Sequence, residues 1–160
     1  IIVINITIMI KYNILKCKNI DINKLNIDNN YLITYNNDSN FLIQTPIFND
    51  YELLNYNDKH YIDIKIDKTK PLHINFLQFI DSLEFKLNNY SNKQSIKTQI
   101  ITDIQNNKSV KIKLQDNTIY YNSNKNIINT LTDGKISLLI KIDYNCNYYS
   151  FHAVQVLQIN

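Results

Sequence analysis

Seven side chains in the second half of the chain have types and spacings that could do chemistry. Lys111 and Lys113 alternate along one segment, Tyr120 and Tyr121 follow it, and Lys97, Lys125 and Phe151 lie nearby in sequence. Tyr144, Tyr148 and Tyr149 cluster beside Phe151. Ammonium groups neutralise phosphates, and aromatic rings stack on flat heterocycles, each stacked base contributing about 1–3 kcal/mol. Adjacent residues of a strand face opposite ways, so only one of Tyr120/Tyr121 and one of Tyr148/Tyr149 can be exposed on a given side.

Catalytic groups find no comparable arrangement. The single glycine, Gly134, cannot build a phosphate-cradling loop. His60, His73 and His152 have no metal-ligand spacing with Cys, Asp or Glu, and they read as surface or satisfied histidines. Asp63 and Asp67 share one face of a strand, where a cation pair is conceivable and a solvated face is the commoner outcome. No Ser or Cys nucleophile is placed beside a base. The sequence therefore reads as non-enzymatic, with no cofactor and no metal.

Composition sets the frame. The 160 residues include 30 Ile, 27 Asn and 12 Tyr; all 17 basic residues are Lys, and Trp is absent. An AT-rich genome encodes these residues most easily, so much of this reflects codon bias. The formal net charge is +3, but it is unevenly spread. Residues 1–92 carry 9 Lys and 10 acids, whereas residues 93–160 carry 8 Lys and 4 Asp. Lys93, Lys97, Lys108, Lys111, Lys113 and Lys125 suggest a basic face; a solvated Lys-rich surface is the plainer alternative. Cys17 and Cys146 have no paired motif and read as free thiols in a reducing compartment. No apolar run approaches the roughly 20 residues of a membrane-spanning helix. Residues 1–8 lack signal-peptide features and read as an upstream extension or the start of a fragment, leaving 9–160 as one domain.

The elements that must position these residues are mostly strands. Residues 11–16, 31–35, 41–44, 60–67, 110–114, 118–121, 135–143 and 148–159 have strand character. Hairpins are expected across 36–40 and 115–117, and a short helical turn near 127–131. Residues 96–104 fit either a strand or a short helix. One amphipathic helix is predicted over about 71–90, capped by Thr69 and opened by Pro71. Leu72, Phe76, Phe79, Ile80, Leu83, Leu87 and Tyr90 form its apolar stripe. With one glycine, turns needing positive φ must use Asn and Asp, as in Asn36-Asn37 and Asn106-Asn107. The fold class is β-rich α+β: a small OB-like barrel or curled antiparallel sheet with one helix.

Two segments carry a resemblance. Phe41-Leu42-Ile43-Gln44-Thr45-Pro46 resembles an "IQTP" strand end, and Ser150-Phe151-His152-Ala153-Val154-Gln155-Val156 resembles a closing "SWxxVQ" strand. Both belong to a family from the nucleocytoplasmic large DNA viruses, similar to the OB-fold single-stranded-DNA-binding proteins of short-tailed phages. The order of elements matches over about residues 12–159. Phe151 stands where that family has Trp, and Ile47-Phe48-Asn49-Asp50 replaces its "PFG" element. No acidic tail follows Asn160, which leaves open how replication proteins would be recruited, or whether a tail is missing.

The resemblance implies a non-catalytic protein that protects single-stranded DNA in replication or recombination. Its location would be the host cytoplasm (a viral factory) or the nucleus, without secretion or a membrane. Lys97, Lys111, Lys113 and Lys125 would meet phosphates, and Tyr120, Tyr121 and Phe151 would offer stacking faces. Gln44 and Gln155 would anchor strands without touching bases. The alternative is a virion structural or protein-interaction module. Oligomeric state is not encoded in any pattern of this sequence.

Overall fold

The computed structural model describes residues 11–90, 95–145 and 148–159. The expectations for residues 1–8, Lys93 and Cys146 lie outside the described residues. The chain opens with β1 (Asn13–Lys16), two 3-10 turns (Cys17–Asn19 and Ile22–Lys24), β2 (Leu25–Ile27), β3 (Ile33–Tyr35) and β4 (Phe41–Gln44). Then come β5 (Tyr51–Tyr56), β6 (Lys59–Lys65) and α1 (Pro71–Tyr90). The second half supplies β7 (Ile100–Thr102), β8 (Lys108–Tyr121), β9 (Ile127–Ile128), β10 (Lys135–Asn145) and β11 (Tyr148–Ile159).

Nine of these strands form one sheet in the order β1-β4-β10-β11-β8-β6-β5, with β7 and β9 also on β8; β2 and β3 pair separately. Among the described residues the path is open, so the sheet does not close into a barrel. It is also mixed: β1 runs parallel to β4, and β11 parallel to β8. Purely antiparallel order was expected because periodicity marks strands without naming their partners.

Two expected hairpins are absent for the same reason. β3 pairs with β2 and not with β4. Residues 115–117 make no turn between strands, because β8 runs unbroken from Lys108 to Tyr121. Its irregularity is instead a bulge: Leu114 pairs with Ala153, but Ile119 pairs with Gln155. Thr118 stitches that bulge, its hydroxyl donating to the Ala153 carbonyl at 2.7 Å and accepting the Gln115 amide at 2.9 Å. The stretch expected to turn helically is the short strand β9, paired with Tyr120 and Tyr121.

The helix matches its expected span. Pro71 opens it. Thr69 does not cap it, however; its hydroxyl and amide both donate to Asp67. Its buried face is His73, Phe76, Leu77, Phe79, Ile80, Leu83 and Leu87, while Leu72 is exposed. His73 takes the place expected for Leu72. Its ring pairs with the Asp67 amide at 3.1 Å and the Ile47 carbonyl at 2.9 Å, so a buried histidine is satisfied at both nitrogens.

One hydrophobic cluster joins α1 to one face of the sheet. Phe76 meets Phe151 and Phe48, with ring centroids 6.5 Å and 5.7 Å apart. Burying each such side chain contributes about 1.5–3 kcal/mol. Glu84 on α1 accepts from the Tyr149 hydroxyl, Thr98 and the Gln99 amide, fixing the helix to β11 and the approach to β7. Turns use Asn and Asp as the composition requires. Among the described residues, five of the seven non-glycine residues with positive φ are Asn36, Asn37, Asn57, Asp58 and Asn106. Among the described residues, no helix is long and apolar enough to cross a membrane.

Candidate nucleic-acid interface

With α1 covering the face that carries Ile62, Ile112 and Phe151, strand alternation turns their neighbours to the opposite, open face. Register then aligns one row of side chains across five strands. Leu54 pairs with Tyr61, Tyr61 with Lys113, Lys113 with His152, and His152 with Lys141. Neighbouring strands lie about 4.8 Å apart, so the backbones at Lys113 and Lys141 are roughly 10 Å apart.

A groove of about 370 Å³ opens over part of this row. Lys111 and Lys113 line it together with Tyr56, Tyr61 and Tyr148. Tyr56 and Tyr148 are 71% and 48% exposed, which leaves their ring faces available for stacking. Among the described residues neither Lys111 nor Lys113 joins an ion pair.

Other charges on this face are paired. Lys65 Nζ lies 2.5 Å from Asp63 Oδ2 and 3.9 Å from Glu52, and these partners hold its ammonium above the usual lysine range. Asp63 faces Lys111 across the β6–β8 pairing, yet its Oδ1 is buried without a partner among the described residues. The expectation of a wet Asp63/Asp67 face is thus corrected: Asp63 is only 6% exposed. Lys141 pairs with Asp143 at 3.5 Å. His152 sits between Lys113 and Lys141, with Ser150 Oγ at 2.7 Å and Asp143 Oδ2 at 3.4 Å, both at Nε2. A catalytic Ser-His-Asp relay needs the two partners on different ring nitrogens. Among the described residues, Nδ1 has no partner here.

The expected residues are only partly brought together. Lys111 and Lys113 share the groove. Lys97 is exposed in the segment before β7, two residues from groove-lining Gln99. Tyr121 and Lys125 line a separate groove near the far end of β8. Tyr120 is half-buried against the core, and that burial raises its hydroxyl above the usual range. Phe151 borders the same groove as Lys111 and Lys113 but is a correction as a stacking face: it is fully buried, packed on Tyr149 and Phe76, and leaves no exposed face for a base. β11 turns residues 149, 151 and 153 to the core, so the exposed aromatic of this strand is Tyr148. Tyr144 packs against Tyr31 and Tyr90.

No family model and no curated protein sequence matches the chain. Solved structures do match it. The crystal structure of gp2.5, a single-stranded DNA-binding protein encoded by bacteriophage T7, aligns with a TM-score of 0.53 at 10% identity, over 74% of this chain and 86% of that one. The single-stranded DNA-binding protein from bacteriophage Enc34 aligns at 0.50 and 12% identity, over 70% and 78%. The fold is one shared with phage single-stranded-DNA-binding proteins.

On this shared fold the open face combines free ammonium groups with exposed phenol rings. Phosphate neutralisation and base stacking are the chemistry it can perform. Among the described residues, no three His, Cys, Asp or Glu side chains come together as metal ligands. The aromatic residues missed were Tyr56 and Tyr61. A signal for them existed: Asn57-Asp58, both with positive φ, forms a two-residue turn joining β5 to β6. Taking that pair as a hairpin turn would have set Leu54 beside Tyr61 and Tyr56 on the same face; the further pairing of Tyr61 with Lys113 follows no local signal.

Proposed function

We propose that this chain binds single-stranded DNA along the open face of its sheet. Phosphates meet Lys111 and Lys113, and bases stack on Tyr56, Tyr61 and Tyr148. Lys97 extends the basic track, and Tyr121 with Lys125 serves a second stretch of strand. The observation that carries the reading is the groove itself: two lysines without ion pairs and three tyrosines on the face opposite α1. The fold shared with two phage single-stranded-DNA-binding proteins supports it. Residues 9–160 act as one non-catalytic domain. The motifs around Gln44 and Gln155 favour origin in a large DNA virus, with strand protection during replication or recombination in a viral factory or nucleus.

The test is a fluorescence-anisotropy titration of labelled oligo-dT of about 30 nucleotides, longer than one binding site of this type. Binding is expected to weaken steeply with salt. For single strands each neutralised phosphate contributes about 0.7 to the slope, so Lys111→Ala/Lys113→Ala should lower it by about 1.4. A folded protein that fails to bind at low salt overturns this reading and favours a virion structural or protein-interaction module.

A further inference from the structure

The two short motifs that carry the sequence resemblance end up on one surface. Gln44 from the first pairs with Leu139, and Leu139 pairs on its other side with Gln155 from the second. The two glutamines therefore flank a leucine floor, with backbones about 10 Å apart. Gln155 reaches this face only because β11 bulges. Residues 149, 151 and 153 point to the core, and strict alternation would bury residue 155 as well. The register shift between Ala153 and Gln155 makes Val154 the extra residue, which sends Val156 to the core and Gln155 outward. Bulges commonly re-aim a side chain in this way beside functional sites.

Both glutamines line the groove of about 340 Å³ that holds Tyr121 and Lys125, with Leu139 between them and Ile14 adding apolar lining. That volume lies at the lower end of the range of small-ligand sites, roughly 300–1,000 Å³. Among the described residues, neither carboxamide makes a side-chain hydrogen bond. A simple anchoring role for Gln44 and Gln155 leaves these free carboxamides unexplained. Lys125 is held at positive φ in a tight turn, its amide on the Asn122 carbonyl at 2.9 Å, so its ammonium is offered from a fixed backbone at the groove's rim.

We propose that this groove takes one unstacked base of the bound strand and reads it through Gln44 and Gln155. A carboxamide presents a donor and an acceptor side by side, the arrangement that pairs with adenine at N6 and N7. Tyr121 walls the base and Lys125 meets the neighbouring phosphate. The inference rests on the proposed single-stranded-DNA binding, to which it adds base preference.

The experiment compares affinities for oligo-dA and oligo-dC of equal length, in the native protein and in variants. Dividing the variant's dC/dA ratio by the native ratio cancels the stacking of the strands themselves. Gln44→Leu/Gln155→Leu should lower the preference for dA about tenfold. Gln155→Glu should move preference toward dC, because a carboxylate accepts from cytosine N4 and not from adenine N7. Ratios unchanged in both variants overturn the base-reading groove. If Lys111→Ala/Lys113→Ala still weakens binding to both strands, the wider DNA reading survives that result. A native protein that binds neither strand overturns both.

Discussion

Lys113 on β8 faces His152 on β11 across a parallel pairing, and Lys141 faces the same histidine from β10. Burial lowers the imidazole below its ordinary 6.5; Asp143 opposes this, while Lys113 and Lys141 reinforce it. As pH falls, the unfolded chain therefore takes up this proton before the folded one does. Stability contributed by neutral His152 is present above about pH 6.5 and is lost as pH falls toward the depressed folded value. Thermal midpoints at about pH 7.5 and about pH 5.5 should show a larger drop for the native chain than for His152→Gln. Equal drops would mean that His152 takes up its proton equally in both states.

Tyr148 and Phe151 lie three residues apart on β11 and separate binding from folding. Phe151→Ala removes a fully buried ring and should cost about 3–5 kcal/mol of stability in denaturant titration. Tyr148→Ala should leave the unfolding midpoint within about 0.5 kcal/mol. It should weaken oligo-dT binding by about 1–3 kcal/mol if a base stacks there. A Tyr148→Ala protein with native affinity would remove that ring from the interface.

How far these roles could be read from the sequence depends on the kind of signal. The α1 stripe was legible because a 3.6-residue period over twenty positions has one geometric solution. The alternation of Lys111 and Lys113 with Val110, Ile112 and Leu114 likewise fixed which side chains face out. The sheet order was not legible, since period two says nothing about the neighbouring strand. Pairing β8 parallel to β11 joins residues about forty positions apart through no local pattern. Bulges were the other blind spot. Phe151 was misread because nothing local tells which of two alternating sets meets a helix. The outward facing of Gln155 had no local signal, because a single inserted residue, Val154, inverts the side chains that follow it.

Thr118 tests the bulge in β8 directly. Its hydroxyl serves both the Ala153 carbonyl and the Gln115 amide, and it is only 7% exposed. Thr118→Val keeps the shape and β-branching but leaves those groups without their partner. The expected loss is about 1–3 kcal/mol in urea unfolding, against a near-neutral result for Thr118→Ser. A neutral Thr118→Val would mean that water or a register shift serves the bulge instead.

Asp63 bears on how much of the basic face is available to a polyanion. Its Oδ2 holds the Lys65 ammonium, its Oδ1 is buried and unpaired, and its backbone lies opposite Lys111. A carboxylate in that place competes with phosphate for two lysines. Asp63→Asn removes the charge, keeps an acceptor for Lys65, and replaces the unpaired buried carboxylate oxygen with a neutral amide nitrogen, which is less costly to desolvate. Stability should therefore change by no more than about 1 kcal/mol, the two effects opposing each other. Affinity for oligo-dT at low salt should rise several-fold. If Lys65 then joins the track, the salt dependence steepens by about 0.7, the share of one additional neutralised phosphate. A higher affinity with an unchanged slope would assign the gain to reduced repulsion at Lys111 alone. Unchanged affinity would place the strand away from β6 and confine the interface to β8, β11 and β10.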